Sequence, residues 1–534
     1  MEQFDFIVVG AGSAGCVLAE RLTRCGCHRV LLLEAGGSDR HHPWTRLPIG
    51  YGKTFHDDRV NWRFRAEADP GLDGREIYWP RGKVLGGSSS INGLIWMRGL
   101  PGDFDDWAEA GNPGWGWEAV RPVFDAIEEL GEGSTPPSGR VSVADRSRDY
   151  HPIGGAYFAS TSAAGLPAAA RAESHWSEGT APYRLTTRRG FRDSAATVFL
   201  APARRRRNLS IRTGTTVARI GFEGRRAVSV RYSDSRGGAE VQARGGILLA
   251  AGAIGSPAIL QRSGIGPGDL LQGLGIAAVH HNSAVGGGLQ DHIGVDYLFR
   301  ATQPTLNQVL GGHLGRMGAA LQFALRRRGP LTLSVNQLGG MVRSGPETAR
   351  PDIQLYFTPL SYSTTWRNKR PLLKPDAWPG FALGFNPCRP TSRGRVDITS
   401  ADADSAPRIA PNYLSTNADL EAAVAGGRLI ERLLGTEPLR DVIAAATSFT
   451  PEGVPDAAIL ADFRARATTV FHACGTCRMA PEADGGVVDP ALRVHGVEGL
   501  RVVDASIFPN ITSANTNAPT IMVAAKAAEM ILAS

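Results

Sequence analysis

Two kinds of residue in this 534-residue chain could do chemistry. The first kind binds. Gly10-Ala11-Gly12-Ser13-Ala14-Gly15 spaces three glycines as Gly-x-Gly-x-x-Gly. Gly10 permits a tight turn, Gly12 lets backbone approach a pyrophosphate, and Gly15 lets a helix close on a strand. Glu34 can accept hydrogen bonds from the hydroxyls of an adenosine ribose, and its charge disfavours a 2′-phosphate. The second kind reacts. Among the 12 histidines, a neutral imidazole can take a proton near pH 7, its ordinary pKa being about 6.5. Cys474-Gly-Thr-Cys477 has the spacing of a redox dithiol, but the Arg and Met that follow favour a different origin for the segment. No second ligand cluster accompanies it, so no metal is assigned.

Phe4 to Val9 reads as a buried strand that delivers the glycine turn, and the helix pattern Cys16 to Thr23 leaves it. Val30 to Leu33 reads as a second strand ending at Glu34. Strand, glycine turn, helix and acid in this order make a dinucleotide site. The helix N-terminus would offer free N–H groups and a positive dipole end to phosphates. Leu209–Thr213 and Gly246–Ala251 read as further strands. So do 352–358 and 380–386, with a turn at Ser392-Arg393-Gly394, and Ile521–Leu532 reads as a closing helix.

Composition sets the bounds. The length calls for at least two lobes, and 42% hydrophobic with 20% charged residues is the balance of a soluble globular protein. The net charge of +7 comes mostly from scattered Arg, with Lys only at Lys53, Lys83, Lys369, Lys374 and Lys526. The one dense run, Arg204–Arg207, lacks interleaved aromatics, so no nucleic-acid partner is expected. The six cysteines fit no dense disulfide framework. The start shows no signal-peptide pattern, and no apolar run reaches transmembrane length. The expected location is the cytoplasm.

Longer motifs carry a resemblance. The stretch from Pro80 through Gly82, Leu85, Gly86, Gly87 and Asn92 to Arg98 resembles the first signature of the glucose–methanol–choline oxidoreductases. Gly252–Pro267 resembles the second, and Gly496–Pro509 the C-terminal flavin segment. They lie in family order across nearly the whole chain. The resemblance implies an α/β protein: a discontinuous Rossmann-like FAD-binding domain (1–44, 197–290 and 466–534), a cofactor-covering region (45–129), and an α+β substrate domain with an antiparallel sheet (130–196 and 291–465).

It also implies a cofactor, FAD. Gly10, Gly12, Ser13, Ala14, Gly15, Glu34 and Ala35 would hold its adenosine and pyrophosphate end, with Val217 at the adenine. Gly82, Leu85, Gly86 and Gly87 form a loop poor in side chains that can lie flat on the flavin. Asn92, Gly93, Leu94 and Ile95 would approach the ring with their backbone. Ala251, Gly252, Asp504 and Ala505 would meet the cofactor from the other side, and Trp62, Asn517 and Thr520 complete the set. Ile91 stands where some relatives carry a His bonded to FAD, so non-covalent FAD is expected.

Phe471-His472-Ala-Cys-Gly475-Thr476-Cys-Arg-Met479 resembles the family segment whose His faces the flavin. Ser513–Thr520 matches the segment that supplies a partner, here Asn515. On this basis His472 is the base that takes the hydroxyl proton, and Asn515 the non-titrating donor that orients the oxygen. The expected reaction is oxidation of a small-molecule alcohol to an aldehyde or ketone, with hydride passing to flavin N5 and electrons going on to O2 or another carrier. His292 and His495 are read as supporting residues. Hydroxynitrile lyase and photodecarboxylase branches, the latter invited by Cys388, are the alternatives. Of the substrate-lobe aromatics Tyr297, Phe299, Phe323, Tyr356, Phe357, Tyr362, Trp366, Trp378, Phe381 and Phe385, most are expected in the core. No cation cage marks choline as the substrate, and residues 300–350 resemble no substrate-defining motif.

Overall fold

The computed structural model describes residues 2–133, 138–170, 173–367 and 370–533, with backbone alone between 364 and 373. The elements that bear on the site begin with β1 (Gln3–Val9), α1 (Ser13–Leu22) and β2 (Val30–Leu33). Then come β3 (Leu209–Arg212), β4 (Thr216–Glu223), β5 (Arg226–Asp234), β6 (Gly237–Leu249) and α2 (Gly252–Arg262). β7 (Ile293–Ala301), α3 (His313–Arg326), β8 (Leu338–Val342), β9 (Ile353–Thr358) and β10 (Gly380–Pro387) follow. Last are β11 (Ile443–Ala446), β12 (Thr468–Thr469), β13 (Leu500–Val502) and α4 (Asn517–Ala533).

β3, β2, β1, β6, β5 and β4 form one sheet in that order, with β13 also paired to β6. β1, β2, β3, β6 and β13 are parallel where they pair, and β4 and β5 complete the edge antiparallel. β2 is buried at every position, as a strand covered on both faces must be. The parallel strands therefore end along one edge, which is where ligands sit in open α/β sheets. Gly10, Glu34, Ala251 and Asp504 all fall just past strand ends on that edge. Its core spans distant chain segments, joining Val8, Leu32 and Leu248 to Val502 and Met522.

A second sheet runs β8, β9, β10, β7, β11, antiparallel throughout. Its own core holds Tyr297, Phe299, Phe357, Phe381 and Phe385. β12 pairs with the start of β7 and brings residues 468–469 to Ile293 and Gly294.

Boundaries shift for local reasons. α1 begins at Ser13, three residues before the expected Cys16, because Gly12 is already the cap. α4 begins at Asn517 rather than Ile521, since Pro519 sits in the first turn, where its missing N–H costs nothing. β6 starts at Gly237, well before Gly246, because its polar first half pairs with β5. Cys25 and Cys27 are joined by a disulfide, while Cys16, Cys388, Cys474 and Cys477 are free and buried. Among the described residues no helix is long and apolar enough to cross a membrane.

Candidate active site

The glycine turn closes by contact that no side chain could share. Gly10 has φ +98°, and a Cβ on Gly15 would lie 1.8 Å from the Gly10 carbonyl oxygen. The second loop packs on the first. The Gly86 N–H donates to the Ala11 carbonyl at 2.7 Å, and a Cβ on Gly87 would stand 2.7 Å from the Gly12 Cα. Gly82 is pressed on Gly87 in the same way, at 2.2 Å, and the Leu85 N–H reaches the Gly37 carbonyl. Ser13 donates to Asn517 Oδ1 at 2.7 Å, so the N-termini of α1 and α4 meet. No side chain caps the N-terminus of α1, which begins at Ser13 and Ala14. A Cβ on Gly252 would meet nothing within 4 Å. Two helix ends, bare glycines and an open side suit a pyrophosphate. The residues present thus fit a dinucleotide such as FAD.

Two acids at this edge shape the protein backbone. Glu34 accepts from the N–H groups of Ala11 (2.9 Å) and Gly36 (2.8 Å), next to Ala35. Burial pushes its carboxyl up to about 7, against those two bonds. Asp504 accepts from Gly252 N–H and Ser256 Oγ–H, and Ser256 Oγ accepts from Ala251 N–H. Burial raises Asp504 as well. The Ala505 carbonyl accepts from Gly475 N–H, tying the flavin-domain segment to the His472 segment. Thr520 hydrogen-bonds to the Thr516 carbonyl in the first turn of α4. Val217 lies in β4 opposite Tyr232. Trp62 lies at the surface, stacked on Phe64, with Lys83 Nζ 4.5 Å from its ring.

The loop around Asn92 is pinned by its side chain, whose Oδ1 accepts from Leu94 N–H and from buried Arg192 at 2.6 Å. Burial pulls Arg192 down to about 9. Leu94 takes a left-handed φ of 68°, a conformation that side chains resist. Gly93 faces Ser334, and Ile95 bridges to Leu185.

His472 and Asn515 come together as expected. Asn515 Nδ2 lies 2.9 Å from His472 Nε2. On the other side of the ring stands His292, read in sequence only as a supporting residue: His472 Nδ1 lies 2.8 Å from His292 Nδ1, and His292 Nε2 lies 2.7 Å from the Cys388 carbonyl oxygen. These contacts fix every proton. A carbonyl only accepts, so His292 carries its proton on Nε2 and its lone pair on Nδ1. His472 must then donate from Nδ1, which leaves the Nε2 lone pair facing the Asn515 amide N–H. Both rings are neutral in this chain. Burial drives His292 down to about 4. Burial, then His292 and Arg81, hold His472 well below its ordinary 6.5.

Asp291 sets the backbone beneath the imidazole. It accepts from His472 N–H (2.7 Å), Tyr413 OH (2.6 Å) and the Thr469 hydroxyl. Thr469 Oγ in turn accepts from Phe471 N–H, and Phe471 has a left-handed φ of 72°. Gln290 completes the run: its N–H and carbonyl pair with Cys474, and its Oε1 accepts from Ile511 N–H. Three consecutive polar residues, 290 to 292, are all buried just before β7. That polar run ahead of an apolar strand was the available signal.

Around the pair, Leu94, Leu333, Tyr356, Cys388 and Ala514 share one apolar cluster. Gln354 Nε2 reaches Asn515 Oδ1 at 3.4 Å, and Tyr356 OH lies 2.8 Å from Gln354 Oε1. Of the substrate-lobe aromatics, Tyr356 is thus tied into this chain of polar groups. Phe323 packs on Phe191, and Trp378 carries Arg300 over its ring. Tyr362 is exposed, and the Trp366 side chain falls outside the described residues. Cys474 and Cys477 are both buried thiols pushed up by burial, unlike a reactive pair. The His495 ring hydrogen-bonds to the Ala480 carbonyl, away from the reacting pair's contacts. The arrangement can bind one hydroxyl: Asn515 donates to its oxygen, and His472 Nε2 accepts its proton.

Comparison with known proteins agrees in extent and kind. Residues 4–294 match the family model of the GMC oxidoreductase N-terminal part, and 390–524 that of the C-terminal part. The chain is 36% identical to an alcohol dehydrogenase [acceptor] of Pseudomonas putida, covering 99% of this chain and 96% of the relative. It is 37% identical to mitochondrial choline dehydrogenase of Homo sapiens, covering 99% and 90%. Among solved structures, pyridoxine 4-oxidase from Mesorbium loti superposes with a TM-score of 0.85 at 32% identity, covering 98% of both chains.

Proposed function

The chain belongs to the GMC oxidoreductase family and is an enzyme acting on CH–OH donors, and from that premise we propose that it oxidises a primary or secondary alcohol to an aldehyde or ketone, with His472 as the base. The observation that carries the reading is the proton order along Cys388, His292, His472 and Asn515. It leaves one lone pair, on His472 Nε2, beside one amide donor.

The alcohol hydroxyl displaces the direct 2.9 Å contact between these two groups, accepting from the Asn515 amide and donating to His472 Nε2. The Asn515 N–H fixes the oxygen and stabilises the charge that grows on it as the proton leaves. His472 Nε2 receives that proton. Bound FAD supplies the hydride acceptor, at its N5. The apolar cluster around Leu94, Leu333 and Tyr356 keeps water from the oxygen and receives the organic part of the substrate. Residues 1–44, 197–290 and 466–534 serve as the cofactor domain, and 130–196 with 291–465 as the substrate domain. Ile91 offers no nitrogen to the flavin, so FAD is held without a covalent bond. The acceptor of the electrons is O2 or a separate carrier, and the enzyme works in the cytoplasm.

The test is anaerobic bleaching of the yellow protein by a panel of aliphatic, aromatic, heteroaromatic, sugar and amino alcohols, choline included. One class should bleach the flavin, and His472→Ala should slow that bleaching by on the order of 10²–10⁴-fold with FAD retained. Near-normal bleaching in the variant would remove His472 from the mechanism. Admitting air separates an oxidase, which recolours fast and yields peroxide, from a dehydrogenase. Acid precipitation should leave all the flavin in solution; flavin in the pellet would disprove non-covalent binding.

A further inference from the structure

α3 is built the wrong way round for a helix of a water-soluble lobe. Its 14 residues span about 21 Å. The side turned to the protein carries Gly315, Ala319 and Phe323, spaced four apart, with Ala319 the one buried residue of the helix. A Cβ on Gly315 would lie 2.3 Å from the Val309 carbonyl, so the helix seats on the preceding turn through bare backbone. The opposite side carries Leu314, Met317, Leu321 and Leu325, each 60% to 82% exposed. At i, i+3, i+7 and i+11 they fall within about 80° of arc, a continuous aliphatic stripe facing solvent.

The segment that carries the stripe is charged with one sign. From Tyr297 to Pro346 the sequence contains no Asp or Glu, while Arg316, Arg326, Arg327 and Arg328 lie in or just beyond α3. Arg327 lies 4.8 Å from the rings of both Phe191 and Phe323, and Arg46 lies 5.5 Å from the Phe191 ring. Asp149, bonded to Arg328 at 3.0 Å, is the acid that faces this end. An exposed aliphatic stripe flanked by arginines suits the boundary between anionic headgroups and acyl chains. A second copy of the chain fits less well, because a strip one side chain wide falls short of the roughly 800 Å² per partner that a stable dimer buries.

We propose that α3 docks the enzyme on an anionic lipid bilayer, with Leu314, Met317, Leu321 and Leu325 sunk among the acyl chains and the arginines at the headgroups. The helix lies in the interface, since none of the described helices can span it. Docking here also sets the active site close to the membrane. Eight residues beyond α3, Ser334 faces Gly93 of the covering loop, and Leu333 belongs to the apolar cluster at the reacting pair. The inference stands apart from the alcohol reading, because it concerns only this surface.

The experiment is co-sedimentation of the flavin-loaded enzyme with vesicles of phosphatidylcholine, with and without phosphatidylglycerol. The wild type should sediment with the phosphatidylglycerol vesicles and be released by high salt. The double variant Leu321→Glu, Leu325→Glu should bind on the order of a hundredfold more weakly, with bleaching by a water-soluble alcohol unchanged. Arg316→Glu combined with Arg326→Glu should remove the preference for phosphatidylglycerol. A wild type that ignores both vesicles, or a leucine variant that binds as well as it does, would overturn the proposal. So would a wild-type dimer in solution that the leucine variant converts to monomer, for the stripe would then be covered by a second copy.

Discussion

His292→Ala tests the proton order directly. In the native chain His472 Nδ1–H donates to His292 Nδ1 at 2.8 Å, and both rings are buried. Removing the acceptor leaves a buried donor without a partner, which costs about 1–3 kcal/mol. The ring escapes that cost by moving its proton to Nε2, where the Asn515 amide can turn its oxygen to accept. Nε2 is then no longer a base. At about 1.4 kcal/mol per decade, the active tautomer loses roughly 5- to 150-fold in population, and flavin reduction slows by that factor. His292→Gln restores an acceptor and should recover part of the rate. A purely structural role for His292 would not move the pH profile, but this one does. His292 lowers the His472 pKa, so its removal should carry the acid limb of the rate upward, towards 6.5. The assay is stopped-flow bleaching with the best alcohol, across pH, with bound flavin quantified. A variant reducing at more than half the wild-type rate with an unmoved acid limb would refute the reasoning.

Three further outcomes are expected. Reduction needs neutral His472, whose pKa lies well below 6.5; the wild-type rate should stay flat as pH falls through 6.5 and decline only below it, and a midpoint at 6.5 or above in the pH profile would contradict the burial argument. Asn515→Ala should slow reduction by about 10²-fold through loss of one donor to the developing charge, and a lost ionisation in its pH profile would mean that Asn515 does not act as a plain donor. Gly15→Ala places a methyl 1.8 Å from the Gly10 carbonyl; the turn must open, so the protein should purify with little flavin, and full yellow colour would show that the turn is not as tight as described.

The parts of the fold that were legible are local. A strand, a glycine turn and a helix declare themselves within 20 residues, and α1 departed from expectation only because backbone turns at Gly12 before the apolar period begins. Asn515 was found because it lies in a continuous motif. His292 and Asp291 act on a residue some 180 positions away, and no periodicity reports such a contact. Glu34 and Asp504, expected at the cofactor, also accept from protein donors, Ala11 and Gly36 N–H for the one and Gly252 N–H and Ser256 Oγ–H for the other, contacts that a sequence does not display. The lowering of His472 below the ordinary 6.5 follows from burial, which a sequence does not display. The stripe on α3 escaped for the same reason: spacing of three and four marks an apolar face without saying whether it looks inward.

Asp291 explains how a strained backbone can carry the base. Phe471 holds a left-handed φ of 72° immediately before His472, a conformation costing on the order of 1–3 kcal/mol. Hydrogen bonds to a charged group are worth about 1.5–3 kcal/mol each, and Asp291 accepts three, from His472 N–H, Tyr413 and Thr469. Burial raises the Asp291 carboxyl against these bonds, and two of the three grip the chain on either side of Phe471 and so oppose the strain there. Asp291→Ala releases both grips at once. Residues 470–473 then relax towards ordinary φ, and the imidazole leaves Asn515. Reduction should fall further than in His292→Ala, by on the order of 10²–10⁴-fold, because the base is displaced rather than re-protonated. The glycine turn is untouched, so flavin should remain bound. Asp291→Asn keeps one acceptor oxygen for His472 N–H and should lie between the two. If Asp291→Ala reduced its flavin within threefold of wild type, the left-handed turn would be stable unaided, and the positioning of His472 would have to come from His292 alone.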